Sequence, residues 1–253
     1  MTDRNRDLES RVALVTGADR NIGRAIAREL AAAGATVVLN TRKDRGEIDA
    51  VQAEIEAQGG RAMACIADVT DPTAVAAMID TIESAYGRLD ILVNNAAIRR
   101  EAPIDQIDLA AWREIMAVIL DGASICVKAC LPLLRAGGSS AIVNIGGLSG
   151  HTGAAGRPHV VAAKAGLVGL TRALAHDLAV DEITVNCVAP GLIDTVRKAS
   201  SSVSPAHARD HKTLAARKGH PDDVAAAVHY LAGPGGRYVT GQTLHVNAGA
   251  YLG

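Results

Sequence analysis

Short runs of apolar and β-branched residues alternate along the chain with longer stretches in which Ala and Leu recur at helical spacing. Val12–Val15 reads as a strand and Ile22–Ala33 as a helix. Thr36–Leu39 is the next strand, with a helix near Glu47–Gln58. Ala64–Ala67 forms a third strand, and a helix starts after Asp71-Pro72, where a first-turn proline has no N–H to lose. Ile91–Val93 is strand four, Leu109–Leu134 a long helix and Ala141–Ile145 strand five. Val160–Ala179 is a helix, Ile183–Val188 strand six and Gln242–Val246 a seventh strand. This alternation predicts one α/β domain over residues 1–253, with about seven parallel strands and helices on both faces. Residues 1–10 read as a polar tail. Residues 196–218 are rich in Ser, His, Lys and Arg and follow a strand end. That stretch is either a lid over the ligand crevice or an exposed loop.

Composition changes this picture little. Hydrophobic residues are 49% and charged residues 21%, and the net charge is -1. Such a balance gives no electrostatic reason to expect nucleic acid or an anionic membrane as partner. Aromatics are 2% and Phe is absent, so the core must be built from Ala, Val, Leu and Ile. No leader-like segment opens the chain, and no apolar run approaches a bilayer span. Cys65, Cys126, Cys130 and Cys187 form no Cys-x-x-Cys pair and read as small core residues of a cytoplasmic protein.

The first strand runs into Thr16-Gly17-Ala18-Asp19-Arg20-Asn21-Ile22-Gly23. Glycines here let backbone approach a pyrophosphate, whose charge meets the N-terminus of the next helix. The signal gains weight from lying between the first strand and the first helix. At the end of strand two stands Asn40-Thr41-Arg42-Lys43. An acidic residue there would grip ribose hydroxyls and repel a 2′-phosphate. Arg42, with Arg20 of the loop, favours that phosphate instead, unless both arginines point to solvent. The expected cofactor is NADP(H).

These motifs resemble the short-chain dehydrogenase/reductase family over nearly the whole chain. The family loop is Thr-Gly-x-x-x-Gly-x-Gly, and Asn21 replaces its middle glycine; Asn tolerates a left-handed backbone best among the other residues. Asp68-Val69 resembles the pair that meets adenine. Asn94-Asn95-Ala96-Ala97 resembles Asn-Asn-Ala-Gly. Asn186 and Pro190-Gly191-Leu192-Ile193-Asp194-Thr195 resemble the segment that holds the nicotinamide carboxamide. The resemblance therefore implies a Rossmann-type doubly wound fold. It assigns Gly17, Arg20, Asn21, Ile22, Gly23, Thr41, Arg42, Asp68, Val69, Asn94, Asn95, Ala96, Lys164, Pro190, Gly191, Ile193 and Thr195 to the cofactor. It also implies a homotetramer or dimer with the two long helices at the interface.

The same resemblance implies a Ser, Tyr, Lys and Asn set for carbonyl reduction, in which Tyr gives the proton and Lys holds the nicotinamide ribose. Lys164 fits its place, within Ala162-Ala163-Lys164-Ala165-Gly166. The Tyr place holds Val160, the Ser place Gly147 and the Asn place Ile119. No Tyr lies between Tyr86 and Tyr230, so no small shift recovers a phenol, and Val, Gly and Ile carry no exchangeable side-chain proton. Ser149 is a displaced serine candidate for substrate. His151 is a substitute acid or a solvated loop histidine. His159, Arg99 and Arg100 are further candidates for a substrate, the arginines for an anionic one, and Asp121 is a weaker one. The expectation is an oxidoreductase acting on a small molecule. Its non-standard site transfers hydride to C=N or conjugated C=C more readily than to C=O. The competing expectation is a non-catalytic NADP(H)-binding protein that serves as a sensor or oligomer partner. No metal site is expected.

Overall fold

The computed structural model describes residues 6–195, 213–215 and 217–253. The seven strands are β1 (Val12–Thr16), β2 (Thr36–Thr41), β3 (Arg61–Ile66), β4 (Ile91–Asn94), β5 (Ala141–Ile145), β6 (Thr184–Pro190) and β7 (Thr243–Val246). They form one parallel sheet in the order β3-β2-β1-β4-β5-β6-β7. The order reverses between β1 and β4, and the crevice that opens at such a reversal is where α/β sheets bind ligands.

The main helices are α1 (Asn21–Ala32), α2 (Arg45–Ala57), α3 (Pro72–Tyr86), α4 (Leu109–Met116), α5 (Gly122–Gly137), α6 (Ser149–Thr152), α7 (Pro158–Asp177) and α8 (Pro221–Ala232). Central strands are mainly apolar because both faces are covered, with buried Asn94, Asn144 and Asn186 among the exceptions. Ala13, Val15, Val37, Leu39, Val93 and Val143 point into the layer with Ile26, Leu30, Val224 and Val228. Val12, Leu14, Val38, Leu92 and Ile142 alternate with them and point into the other layer, with Ile79, Ile82, Val127, Cys130 and Leu134. The large buried residues are Leu and Ile, and α1 lies closely on α8, as small side chains permit.

Four sequence expectations change. Strand β3 begins at Arg61, before the expected Ala64, because it is an edge strand paired from Thr36↔Arg61 onward and is only partly buried. Its first half lacks the apolar run that marks a central strand. Helix α8 was not read from the pattern. It is alanine-rich and starts at a capping box, in which His220 N–H donates to Asp223 Oδ2 at 2.7 Å. Residues 1–10 are not simply a tail, since Leu8 is buried in the core and its N–H donates to Ala33.

The fourth change concerns the long helix. Residues Leu109–Gly137 are long and apolar enough to cross a membrane by length and composition, with a mean hydropathy of 1.8 over an 18-residue window. The expectation that no stretch would do so is corrected. Ile115, Ile119, Cys126, Val127, Cys130 and Leu134 of this helix are buried inside the protein, and that explains its apolarity. Most of the lid expected at 196–218 lies outside the described residues.

His229 on α8 ties the amino-terminal segment and α1 together. Its Nε2 lies 2.7 Å from Asp7 Oδ1 and its Nδ1 2.9 Å from Glu29 Oε1. Burial lowers the imidazole pKa, but the two carboxylate hydrogen bonds outweigh it and hold the pKa above 6.5. Stability from this clamp is fully present below the unfolded pKa and fades as pH rises through the folded one. The thermal midpoint of the wild type should exceed that of His229→Gln most near about pH 6, and the gap should narrow on the alkaline side. A gap that widens with pH would contradict the assignment.

Candidate active site

The loop after β1 is held by side chains from β1 and the β4 turn. Thr16 Oγ1 donates to the Val93 carbonyl and accepts from the N–H groups of Asn95 and Ala96, each at 3.0 Å. Asn95 Nδ2 donates to the carbonyls of Thr16 and Gly17, both at 2.9 Å. These bonds bring two chain segments so close that side chains are excluded. Gly17 takes φ +63°, and a Cβ there would lie 3.0 Å from the Ala96 Cα. A Cβ on Gly23 would lie 2.0 Å from the Gly17 carbonyl oxygen. Asn21 takes φ 48°, the left-handed conformation expected of it. Ile22 is buried behind the loop. The N-cap residue of α1, Arg20, makes no side-chain capping bond, so the first turn can offer N–H groups and the positive end of its dipole to a phosphate. The cradle fits the diphosphate of a dinucleotide.

The neighbouring strand ends complete this half. Asn40 Nδ2 donates to the Ala67 carbonyl, fixing the end of β2 against the β3 turn. Thr41 is buried, while Arg42 and Lys43 are exposed beyond it. Arg20 is exposed as well. Asp68 Oδ1 accepts from the backbone and hydroxyl of Thr70, and Val69 packs in the core beside Gly122.

A buried polar ladder positions the other half. Asn94 Nδ2 donates to Asn144 Oδ1, Asn144 Nδ2 to Thr171 Oγ1, and Thr171 Oγ1 to the Leu167 carbonyl. The ladder locks β4, β5 and α7 together and so orients Lys164, whose Nζ donates to the Ile145 carbonyl at 2.5 Å. Burial, then the charge of Arg99, push the Lys164 pKa down to about 8; the Cys187 thiol opposes them.

Val160 lies one turn before Lys164 and is 4% exposed; Ile119 is 2% exposed. Both belong to an apolar cluster with Ile115, Ala123, Ala163 and Leu167. Ile119 sits in a π-helical turn, Ala117–Asp121, between α4 and α5, a distortion frequent at functional sites. Gly147 differs from these two, because a Cβ built there meets nothing within 4 Å.

Several candidates lie elsewhere. His151 lies in a ring cluster with His245 and Tyr251. Its ring is 4.5 Å from that of His245 and 5.6 Å from that of Tyr251. Burial, then His245 and Arg172, lower its pKa. His159 is buried, with its pKa lowered by burial, so it does not line an open crevice. Arg100 is taken by Glu114 at 2.7 Å. Asn186 is spent on structure, donating to the Val239 carbonyl and accepting from Gln242 N–H. Ser149 opens α6, next to Gly150, whose Cβ would press on the Lys164 backbone. Pro190 ends β6, Gly191 is pressed against Asn247, and Ile193 bridges to Gly219. Thr195 is the last described residue before position 213. The histidine contacts were not legible in sequence, since His245 and Tyr251 are remote from His151 along the chain.

Comparison with known proteins follows this geometry. A family model described as enoyl-(acyl carrier protein) reductase matches residues 17–251. The chain is 40% identical to a 3-oxoacyl-[acyl-carrier-protein] reductase of Synechocystis sp. over 97% of its own length and 98% of the relative's. A short-chain dehydrogenase from Burkholderia cenocepacia, solved in complex with NADP, superposes with a TM-score of 0.88 at 39% identity, covering 96% of this chain and 99% of that one. A blue fluorescent protein from a metagenomic library, in complex with NADPH, superposes with a TM-score of 0.89 at 33% identity, covering 97% and 100%.

Proposed function

The chain belongs to the short-chain dehydrogenase/reductase family, and on that footing we propose that it is an NADP(H)-dependent oxidoreductase acting on a polarised C=N or conjugated C=C bond in preference to a ketone. The observation that carries the preference is the buried valine at position 160, one turn from Lys164. An alkoxide formed from a ketone needs a proton, and neither Val160, Ile119 nor Gly147 has one to give. An iminium carbon needs none, and a conjugated alkene can take its proton from water.

When bound, the dinucleotide supplies the hydride. The loop Gly17–Gly23 and the α1 N-terminus would hold its diphosphate, and Arg20, Thr41 and Arg42 its adenosine end. Asp68 and Val69 would flank the adenine. Asn94, Asn95 and Ala96 with Pro190, Gly191, Ile193 and Thr195 would border the nicotinamide half. Lys164, fixed on Ile145, would hold the ribose hydroxyls, with an ammonium that stays charged below about pH 8. Ser149 and Arg99 are the remaining polar groups proposed for the substrate. The NADP and NADPH complexes of similar proteins support the cofactor. The 3-oxoacyl relatives supply the competing C=O class.

A second reading has its own observation. The packing of Val160 and Ile119 into an apolar cluster favours a chain that binds NADP(H) without turnover, as a sensor or as a partner within an oligomer. NADPH consumption with cyclic imines, enoyl thioesters and ketones separates the two. Turnover of the first or second class, with ketones slow, is the expected result. Brisk ketone reduction would defeat the substrate preference. Tight NADPH binding with no turnover at all would favour the second reading.

A further inference from the structure

A cavity opens at the edge of the sheet where the strands begin. Arg11, Ser139 and Ile183 stand within two residues of the starts of β1, β5 and β6, and all three line a space of about 570 Å³. The cofactor cradle lies at the opposite ends of the strands. Small-molecule sites usually span about 300–1,000 Å³. The carboxyl-terminal ends of α7 and α8, with the turns after them, line the cavity with small side chains, Ala175, Ala179, Ala232 and Pro234. Buried Leu8 and Ile183 add aliphatic surface.

Four charged side chains line the same space, and two are already engaged. Arg11 Nη1 donates to Asp90 Oδ1 at 3.0 Å, and Asp7 Oδ1 lies 2.7 Å from His229 Nε2. The other two are Glu182 and Arg237. Among the described residues neither of their side chains makes a hydrogen bond or an ion pair. Glu182 is exposed, so water meets its carboxylate, whereas Arg237 is half-buried. Burial, then the charge of Arg11, work against the Arg237 cation, and Asp90 offsets them only in part. Asp90 is saturated, since its oxygens accept from Arg11, Arg88 and the Val12 N–H. A guanidinium drawn out of bulk water without a counterion is short of one anion.

We propose that this cavity binds a small aliphatic monocarboxylate, with its carboxylate on Arg237 and its hydrocarbon body against Leu8, Ala175, Ile183 and Ala232. The planar guanidinium fork matches a carboxylate with two parallel hydrogen bonds. Small wall residues leave room for the body, and each buried CH2 group adds to binding. Asp7 and Glu182 share the lining, so a doubly charged phosphate would be repelled more than a single carboxylate. The ligand would bridge the amino-terminal segment, the start of β6 and the turn after α8, and would stabilise the folded chain by binding it alone.

The test is calorimetric titration of the intact chain with octanoate, and with 1-octanol as the uncharged probe. The wild type should bind octanoate at least about tenfold more tightly than octanol, the size of one hydrogen bond to a charged group. Arg237→Gln should weaken octanoate by about the same factor and leave octanol unchanged. Glu182→Gln should tighten octanoate about twofold, the effect of removing an exposed like charge. Ala179→Trp puts a large side chain at an exposed position on the cavity wall and should weaken both probes. NADPH should leave octanoate affinity unchanged. Octanoate affinity that is equal in the wild type, Arg237→Gln and Ala179→Trp would overturn the proposal. So would equal affinities for the two probes, displacement of octanoate by NADPH, or no octanoate binding by the wild type.

Discussion

Gly23→Ala is expected to weaken NADPH binding by at least about 100-fold, or about 2.7 kcal/mol, with the fold retained. The added methyl would lie 2.0 Å from the Gly17 carbonyl oxygen and 2.6 Å from Asn95 Nδ2. Neither neighbour can yield cheaply. Gly17 is backbone, and Asn95 is tied to the carbonyls on both sides of the Thr16–Gly17 junction. The loop must therefore move away from the position that meets a diphosphate. Overpacking of this kind costs about 1–3 kcal/mol of stability, which a domain of this size survives. Gly46→Ala is the control, since it is exposed in α2 and nothing lies within 4 Å of a Cβ there. Titration with NADPH and a urea transition on each variant decide the matter. Unchanged affinity in Gly23→Ala would mean that this loop is not the phosphate cradle.

Asp90→Ala is expected to lower unfolding free energy by about 3 kcal/mol, the lower part of the range for breaking a buried ion pair. The carboxylate is fully buried. It accepts from Arg11 Nη1 at 3.0 Å, from Arg88 Nη2 at 2.6 Å and Nε at 3.0 Å, and from the Val12 N–H at 2.9 Å. Removal strands two guanidinium groups and one buried N–H. The arginines keep part of their hydration, at 26% and 39% exposure, which argues against the upper end of the range. Asp90→Asn should cost less, because the amide oxygen still accepts from Val12. Asp90 lies at the opposite end of the sheet from the cradle, so NADPH affinity per folded molecule should hold in both variants. A loss below about 1 kcal/mol in Asp90→Ala would show that the arginines find water or other partners readily.

The alternation of strand and helix was legible because each central strand is apolar on both faces and each helix carries Ala and Leu at its own period. The cradle was legible for a related reason. Gly17 and Gly23 exclude side chains at spacings that make sense only between a strand and a helix. Where the pattern thinned, it misled. Edge strand β3 is half-exposed along its length, so only its second half looked like a strand. Helix α8 has so many alanines that its period is faint, and its start is written in the capping contact between His220 and Asp223. The long helix at Leu109–Gly137 passed unnoticed as a possible membrane span because its apolar residues are interrupted by Arg113, Glu114, Asp121 and Lys128.

Residue identity is a local property, and the chain alone therefore settled that a lysine stands four places after a valine, with no tyrosine between Tyr86 and Tyr230. Side-chain direction is not local. His151 faces His245 and Tyr251, and Asp90 collects Arg11 from 79 positions away. Each of these contacts exists because parallel strands with crossover helices bring distant segments side by side. The chemistry a residue can perform was written in the sequence, whereas the neighbours that govern its charge and its reach came only from packing.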